Sequence, residues 1–411
     1  MHLVALSVSV NAVGFCCRLQ ASTIPMTTDQ QSSASQPPRP LGLLAELTHR
    51  CPQRCVYCSN PLELVRKNAE LTTEQWAQVF EQAADLGVIH VHLSGGEPTV
   101  RQDLNELVEA ARQAGLYTNL ITSGTLLDEA QVHRFAEIGL DHVQLSIEDS
   151  DAELADHIGG FDGAHLRKMA AAAWIGDAGL RLTINAVVHR QNLHHLEEMI
   201  QLAVSVGADR MEVAHAQYQG WALKNRDALL PTRDQLDEAT RLVEQYRQRL
   251  DGTMAIDYVV PDYHAVRPKA CMGGWGRQFL AVSPDGRVLP CHGADSIPEL
   301  TFDNVRDRCL DEIWFDGEAF ERFRGVDWMP EPCKSCPEKT KDWGGCRCQA
   351  FALTGDAANT DPVCALSPQH DLVEQAVEEA TTTDEPTWQY RGFGDGGDVV
   401  QVDGSIASDD G

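Results

Sequence analysis

A chain of 411 residues, 43% of them apolar, is long enough to bury one large core and a smaller second one. Its formal net charge of -28 makes nucleic acid an unfavourable partner, because phosphate is repelled by such a surface. No apolar run reaches the ~20 residues of a membrane-spanning helix, and 13 cysteines in C-x2-C and C-x-C units suit metal ligation in a reducing cytoplasm better than a disulfide framework.

In chain order, residues 1–40 carry little information. Residues 1–17 are apolar but lack the charged start of a signal peptide. Residues 27–40 are rich in Gln, Ser and Pro and read as disordered. The expectation is a disordered or mis-assigned extension, with Met26 rather than Met1 as the start, so that Cys16 and Cys17 carry no function. The apolar run Leu41-Gly-Leu-Leu-Ala-Glu-Leu then leads into Cys51-Pro-Gln-Arg-Cys55-Val-Tyr-Cys58. Three thiols within eight residues are soft ligands of the kind that hold iron–sulfur clusters. A four-iron cluster held by three cysteines keeps one iron open, and an open metal site is where chemistry occurs.

From there apolar strand-like runs alternate with amphipathic helical stretches. Strands are predicted at residues 43–48, 90–94, 118–122, 142–147, 181–188 and 210–214, and helices at 73–86, 102–114, 129–138, 163–178, 193–206 and 232–250. Thr72, Asp128 and Asn192 are placed to cap helix N-termini. Gly87, Gly115, Gly139, Gly179 and Gly207 follow helices, where a left-handed stop is wanted. Six β–α units imply parallel strands with right-handed crossovers, in an open doubly wound sheet or a TIM-type barrel. In either, reactive groups gather at the carboxyl ends of strands. The cysteine loop follows the first strand, and Gly95-Gly96-Glu97-Pro98 follows the second. Thr122-Ser123-Gly124 ends the third, and Ser146 and Glu148 end the fourth. Asn185 lies in the fifth and Gln217–Tyr218 follows the sixth. The two glycines let backbone pass close to a ligand, the proline stiffens the exit, and Glu97 adds a charge suited to an ammonium.

After Asp251 the pattern changes. Residues 277–282 and 287–291 flank Ser-Pro-Asp-Gly as a hairpin. Cys271 and Cys291 bracket it. Cys333-x2-Cys336, Trp343-Gly-Gly-Cys346-Arg-Cys348 and Cys364 follow. Cys309 reads as a core thiol, and His292 as a solvated histidine beside a ligand. Residues 371–411 open as a short polar helix, turn acidic and Gly/Asp-rich, and are expected to be disordered and without a role.

The Cys51/Cys55/Cys58 loop, with the aromatic Tyr57 before its last cysteine and Gly-Gly-Glu-Pro one β–α unit later, resembles the radical S-adenosylmethionine (SAM) enzymes. The resemblance implies a partial (β/α)6 TIM-type barrel over residues 41–251. It implies that Cys51, Cys55 and Cys58 hold a [4Fe-4S] cluster whose open iron is chelated by SAM. Gly95, Gly96, Glu97 and Pro98 would meet the methionine amino group, and Ser146, Glu148 and Asn185 the ribose and carboxylate. Residues 252–370 resemble the SPASM extension of peptide-modifying members, with one or two auxiliary iron–sulfur clusters. Cys271, Cys291, Cys346 and Cys348 would hold one. Cys333, Cys336, Asp342 and Cys364 would hold the other, Asp342 standing where the general pattern has a cysteine. Asp342 and the run from Trp343 to Asp356 resemble the SPASM subfamily of pyrroloquinoline quinone (PQQ) biosynthesis. That subfamily's chemistry would be a carbon–carbon cross-link between a glutamate and a tyrosine of a precursor peptide. A small peptide chaperone and a small electron donor such as flavodoxin are the implied partners, with no nucleic acid and no membrane. Another SPASM-type maturase is the alternative within that chemistry, and a zinc-stabilised, non-enzymatic binding scaffold is the alternative outside it.

Overall fold

The first half of the chain repeats one pattern: an aliphatic run, a loop, then an amphipathic helix stopped by glycine. The computed structural model describes residues 36–382 and 387–392. Among these, nine strands share one sheet: β1 (Gly42–Thr48), β2 (His90–Gly95), β3 (Tyr117–Thr122), β4 (His142–Ile147), β5 (Arg181–Val188), β6 (Arg210–His215), β7 (Ala255–Val259), β8 (Phe279–Val282) and β9 (Val288–Leu289). The order is β7-β6-β5-β4-β3-β2-β1-β8-β9, parallel throughout except for the β8–β9 hairpin. From β1 to β7 the order never reverses. A doubly wound sheet reverses at a switch point, so the winding is that of a barrel left open between its edges.

Local chemistry sets the helix ends. Thr72 closes a capping box with Gln75 on the helix Thr73–Leu86, and Asp128 accepts from the Gln131 N–H on the helix Glu129–Ile138. Gly87 (φ 110°) and Gly139 (φ 87°) end those helices in the left-handed region. Asn192 corrects the sequence expectation. It makes no side-chain cap, and instead its Nδ2 donates to the Glu148 carbonyl (2.7 Å) and the Val187 carbonyl (3.0 Å). The helices bury one face on the sheet. Trp76 and Phe80, ring centroids 5.8 Å apart, are fully buried against it, and a buried Phe contributes roughly 1.5–3 kcal/mol.

Four further features depart from the sequence reading. A seventh parallel strand, β7, extends the predicted six. The predicted hairpin is not separate from the barrel sheet, because β8 pairs in parallel with β1 from Gly42↔Phe279 to Ala45↔Val282. The C-terminal stretch also packs: Val373, Ala376 and Ala380 of the helix Asp371–Thr382 join a buried cluster with Val56, Leu229, Leu230 and Tyr263. Helix periodicity there was legible, but not the apolar surface awaiting it. Cys309, read as a core thiol, is disulfide-bonded. Residues 1–35, with Cys16, Cys17 and Met26, and the acidic end at 393–411 lie outside the described residues. Among the described residues, no helix is long and apolar enough to cross a membrane.

Candidate metal centre and cofactor pocket

The cysteine loop leaves β1 at Thr48 and is held by backbone contacts on both flanks. The Arg54 and Val56 N–H groups donate to the Gly159 and Ile158 carbonyls (2.8 and 3.2 Å), at the end of the helix Ala152–Gly159. The Cys58 carbonyl accepts from the Trp221 and Ala222 N–H groups (3.0 and 3.1 Å). Cys51, Cys55 and Cys58 all line one cavity of ≈410 Å³ at the carboxyl ends of the strands. Tyr57, Gly95, Gly96, Ser146, Glu148 and Asn185 line it too; Glu97 and Pro98 do not. Burial pushes the Cys51 thiol up to about 12 and also raises Cys55 and Cys58, while the nearby Arg391 pulls Cys51 and Cys58 back down. Without a metal such thiols keep their protons, and binding one releases them.

Geometry explains the two glycines. A Cβ on Gly95 would lie 2.2 Å from the Thr48 carbonyl oxygen, and one on Gly96 would lie 2.4 Å from that of Arg50. The Gly96 and Glu97 N–H groups donate to those same carbonyls (2.6 and 2.8 Å). The glycines therefore let the β2 loop seat against the root of the cysteine loop, and Gly95 also needs its φ of 129°. Glu97 is fully buried and turns away from the cavity. Its carboxylate accepts from the Thr99 N–H and hydroxyl, the Thr122 hydroxyl, and the Ser123 N–H and hydroxyl, at 2.6 to 3.1 Å. Five donors occupy it, so its charge fixes the β3 loop and the ammonium contact expected of it has no free oxygen to use.

Glu148 faces the cavity but is engaged as well. The Lys168 ammonium donates to both its oxygens (2.7 and 2.6 Å) and to the Ser146 carbonyl (2.9 Å), with the lysine and glutamate side chains 0% and 1% exposed. The Tyr57 hydroxyl (3.1 Å) and Gln53 Nε2 (3.3 Å) donate to the same carboxylate. A buried pair thus anchors two residues of the cysteine loop. Asn185 is different. Its Oδ1 is buried with no partner, an acceptor directed at whatever fills the pocket. Three soft thiols and an unsatisfied acceptor in one cavity fit a cluster with a hydroxyl-bearing ligand. Among the described residues, no three His, Cys, Asp or Glu side chains converge on a point suited to a single ion.

The later cysteines form two groups. Cys271, Cys291, Cys346 and Cys348 form one group of neighbouring thiols, the Cys291 and Cys348 sulfurs being 3.9 Å apart. Cys333, Cys336, Asp342 and Cys364 line a separate small cavity. Trp343, Gly344 and Gly345 all have positive φ (52°, 80° and 77°), and this turn sends Asp342 to one group and Cys346 to the other. The buried Arg347 donates to the Gly344, Ala357 and Asn359 carbonyls between the groups. A cavity of ≈920 Å³ runs alongside, from Ser59 beside the cysteine loop to Cys348.

Sequence reasoning missed Gln53, Lys168, Glu212, His215 and Arg391. Lys168 left a trace, since it falls on the buried face of the helix Ala164–Asp177 with Ala164, Ala171 and Ile175. Glu212 lies within β6 and His215 ends it, and both line the cavity of the three cysteines, as does His292, read as solvated. Burial raises Glu212, with repulsion from Asp257 adding to it, whereas burial depresses His215 to about 3.

Comparison with known proteins agrees with this layout. Residues 45–203 match the Radical SAM superfamily, and residues 271–337 match the SPASM iron-sulfur cluster-binding domain. In solved structures, the fold resembles Streptococcus suis SuiB bound to S-adenosylmethionine (TM-score 0.67, 20% identity, 80% of this chain and 77% of that one). It also resembles anSMEcpe with bound AdoMet (TM-score 0.58, 18% identity, 83% and 97%). The PqqA peptide cyclase of Gluconobacter oxydans is 59% identical over 87% of this chain and 99% of its own length. That of Bradyrhizobium diazoefficiens is 55% identical over 90% and 98%. With identity of this order along nearly the whole length of those relatives, the chain belongs to the PqqA peptide cyclase family of radical SAM enzymes with a SPASM domain.

Proposed function

We propose that this chain forms a carbon–carbon bond between a glutamate and a tyrosine side chain of the peptide PqqA, as a step of PQQ biosynthesis. The peptide chaperone PqqD would deliver the substrate, and a small donor such as flavodoxin would supply electrons. The observation that carries the reading is the cavity shared by Cys51, Cys55, Cys58, the Gly95–Gly96 backbone and the unpartnered Asn185 Oδ1. Cys51, Cys55 and Cys58 would hold the [4Fe-4S] cluster. Cys271, Cys291, Cys346 and Cys348, and separately Cys333, Cys336, Asp342 and Cys364, would hold auxiliary clusters. When bound, these groups and SAM supply a 5′-deoxyadenosyl radical to take hydrogen from the glutamate, and an acceptor for the electron released as the tyrosine ring regains aromaticity.

The chain's own residues do the rest. Lys168 and Glu148 hold Tyr57 and Gln53, and so the cysteine loop, in one place. Asn185 Oδ1 accepts a hydroxyl of the bound cofactor. Glu97 fixes Thr122 and Ser123 at the wall. The cavity of ≈920 Å³ offers room for a peptide segment between the cysteine loop and Cys348. The cross-link must also shed a ring proton. His215 is a poor acceptor near neutrality, whereas the raised Glu212 is better matched, so we assign Glu212 as the proton acceptor. The test is anaerobic incubation of the reconstituted protein with PqqA, PqqD and SAM. Loss of two hydrogens from the peptide is expected, and an unchanged peptide mass with full deoxyadenosine formation refutes the substrate assignment.

A further inference from the structure

Residues 387–392 form a strap across the cysteine loop. The Arg391 N–H donates to the Arg54 carbonyl (3.2 Å), and Arg54 Nε donates back to the Arg391 carbonyl (3.0 Å). Asn225 clamps the strap from the other side. Its Oδ1 accepts from the Gln389 N–H (2.8 Å), and its Nδ2 donates to the Gln389 carbonyl (2.8 Å) and to the Val56 carbonyl in the cysteine loop (2.7 Å). Trp388 stacks on His157 with centroids 4.7 Å apart, and the Tyr390 hydroxyl donates to the His157 carbonyl (3.0 Å).

These contacts deliver one side chain. Arg391 is 3% exposed, donates to the His49 carbonyl, hydrogen-bonds Cys58 and lines the cavity of the three cysteines. Among the described residues, no other lysine or arginine lines that cavity. Thiolates and a cluster bring negative charge into a space with little water, where an opposite charge is most effective. One-electron reduction adds a further negative charge, so a neighbouring cation favours the reduced state.

We propose that Arg391 is a positioning residue of the Cys51/Cys55/Cys58 site: the C-terminal strap places a buried guanidinium beside the ligands, offsets their charge and ties the cysteine loop to the end of the chain. This rests on the reading of that loop as the cluster site. It assigns a role to a segment that composition marked as disordered.

The test uses full-chain, anaerobically reconstituted holoprotein carrying Arg391→Gln, Arg391→Lys or Trp388→Ala. Iron and sulfide content and an EPR-monitored redox titration are measured, following the signal that changes when SAM is added. In Arg391→Gln the reduction equilibrium of that signal should fall about tenfold, ~59 mV more negative for one electron, with the other cluster signals unmoved. Arg391→Lys should restore most of the shift. Trp388→Ala should move it the same way by less, and it carries the test if Arg391→Gln does not accumulate. An unshifted potential in Arg391→Gln, or in Trp388→Ala where only that variant accumulates, overturns the proposal, as does equal impairment of the Lys and Gln variants. Cys55→Ala separates the two levels. A SAM-responsive signal surviving there refutes the cluster assignment itself, whereas its loss beside an unshifted Arg391→Gln refutes only the role of Arg391.

Discussion

Replacing Lys168 by methionine isolates the electrostatics of the buried pair, because methionine keeps most of the apolar stem. The ammonium makes three hydrogen bonds, at 2.9, 2.7 and 2.6 Å, and neither partner is more than 1% exposed. After the change only Tyr57 and Gln53, neutral donors at 3.1 and 3.3 Å, face Glu148. An uncompensated carboxylate of this kind costs about 3–5 kcal/mol. Lys168→Met combined with Glu148→Met removes the charge altogether but leaves two buried donors without an acceptor, at about 1 kcal/mol each. The double variant should therefore be the more stable of the two, by about 1–3 kcal/mol. Urea denaturation of the anaerobic holoprotein, followed by tryptophan fluorescence, measures all three species. A single variant within about 1 kcal/mol of the parent, or a double variant less stable than the single, refutes the argument that the pair anchors the loop.

Gly96→Ala should cost about 1–3 kcal/mol and weaken SAM binding by calorimetry, because its Cβ meets backbone oxygens of Arg50 and His49 at 2.4 and 2.7 Å. Unchanged SAM affinity counts against the seating of the two loops. Glu212→Gln should lower the rate of cross-linking by about 10²–10⁴-fold while SAM cleavage continues; full cross-linking in a single-turnover assay excludes Glu212 as the proton acceptor. His215 is depressed to about 3 by burial, so the unfolded chain takes up its proton first. Its contribution is complete above pH 6.5 and is lost as pH falls toward 3, by up to about 1.4 kcal/mol per unit. His215→Gln should flatten the stability profile of the holoprotein between pH 7 and 5.5, and parallel profiles would contradict this.

The repeating β–α pattern and the cysteine spacings were legible because each depends on residues near one another in the chain. A strand shows in its aliphatic run, a helix end in Thr72 or Gly87, and a cluster loop in three thiols within eight residues. The later cysteines gather in two places, Cys271, Cys291, Cys346 and Cys348 in one and Cys333, Cys336 and Cys364 beside Asp342 in the other. Glu97 and Glu148 were legible as strand-end carboxylates but not in their use. A carboxylate at the mouth of a barrel can face a ligand or satisfy its own loops, and only the positions of Thr122, Ser123 and Lys168 decide which.

What the amino-acid order determined by itself was the parallel α/β class, the thiol chemistry and the two glycines that had to lie near it. What the tertiary structure alone decided was the company those residues keep. β8 docks on β1, Lys168 reaches Glu148, and Arg391 arrives 342 positions away from the His49 carbonyl it contacts. Periodicity and caps act within a few residues, whereas desolvation and charge pairing depend on which distant segments share a buried space.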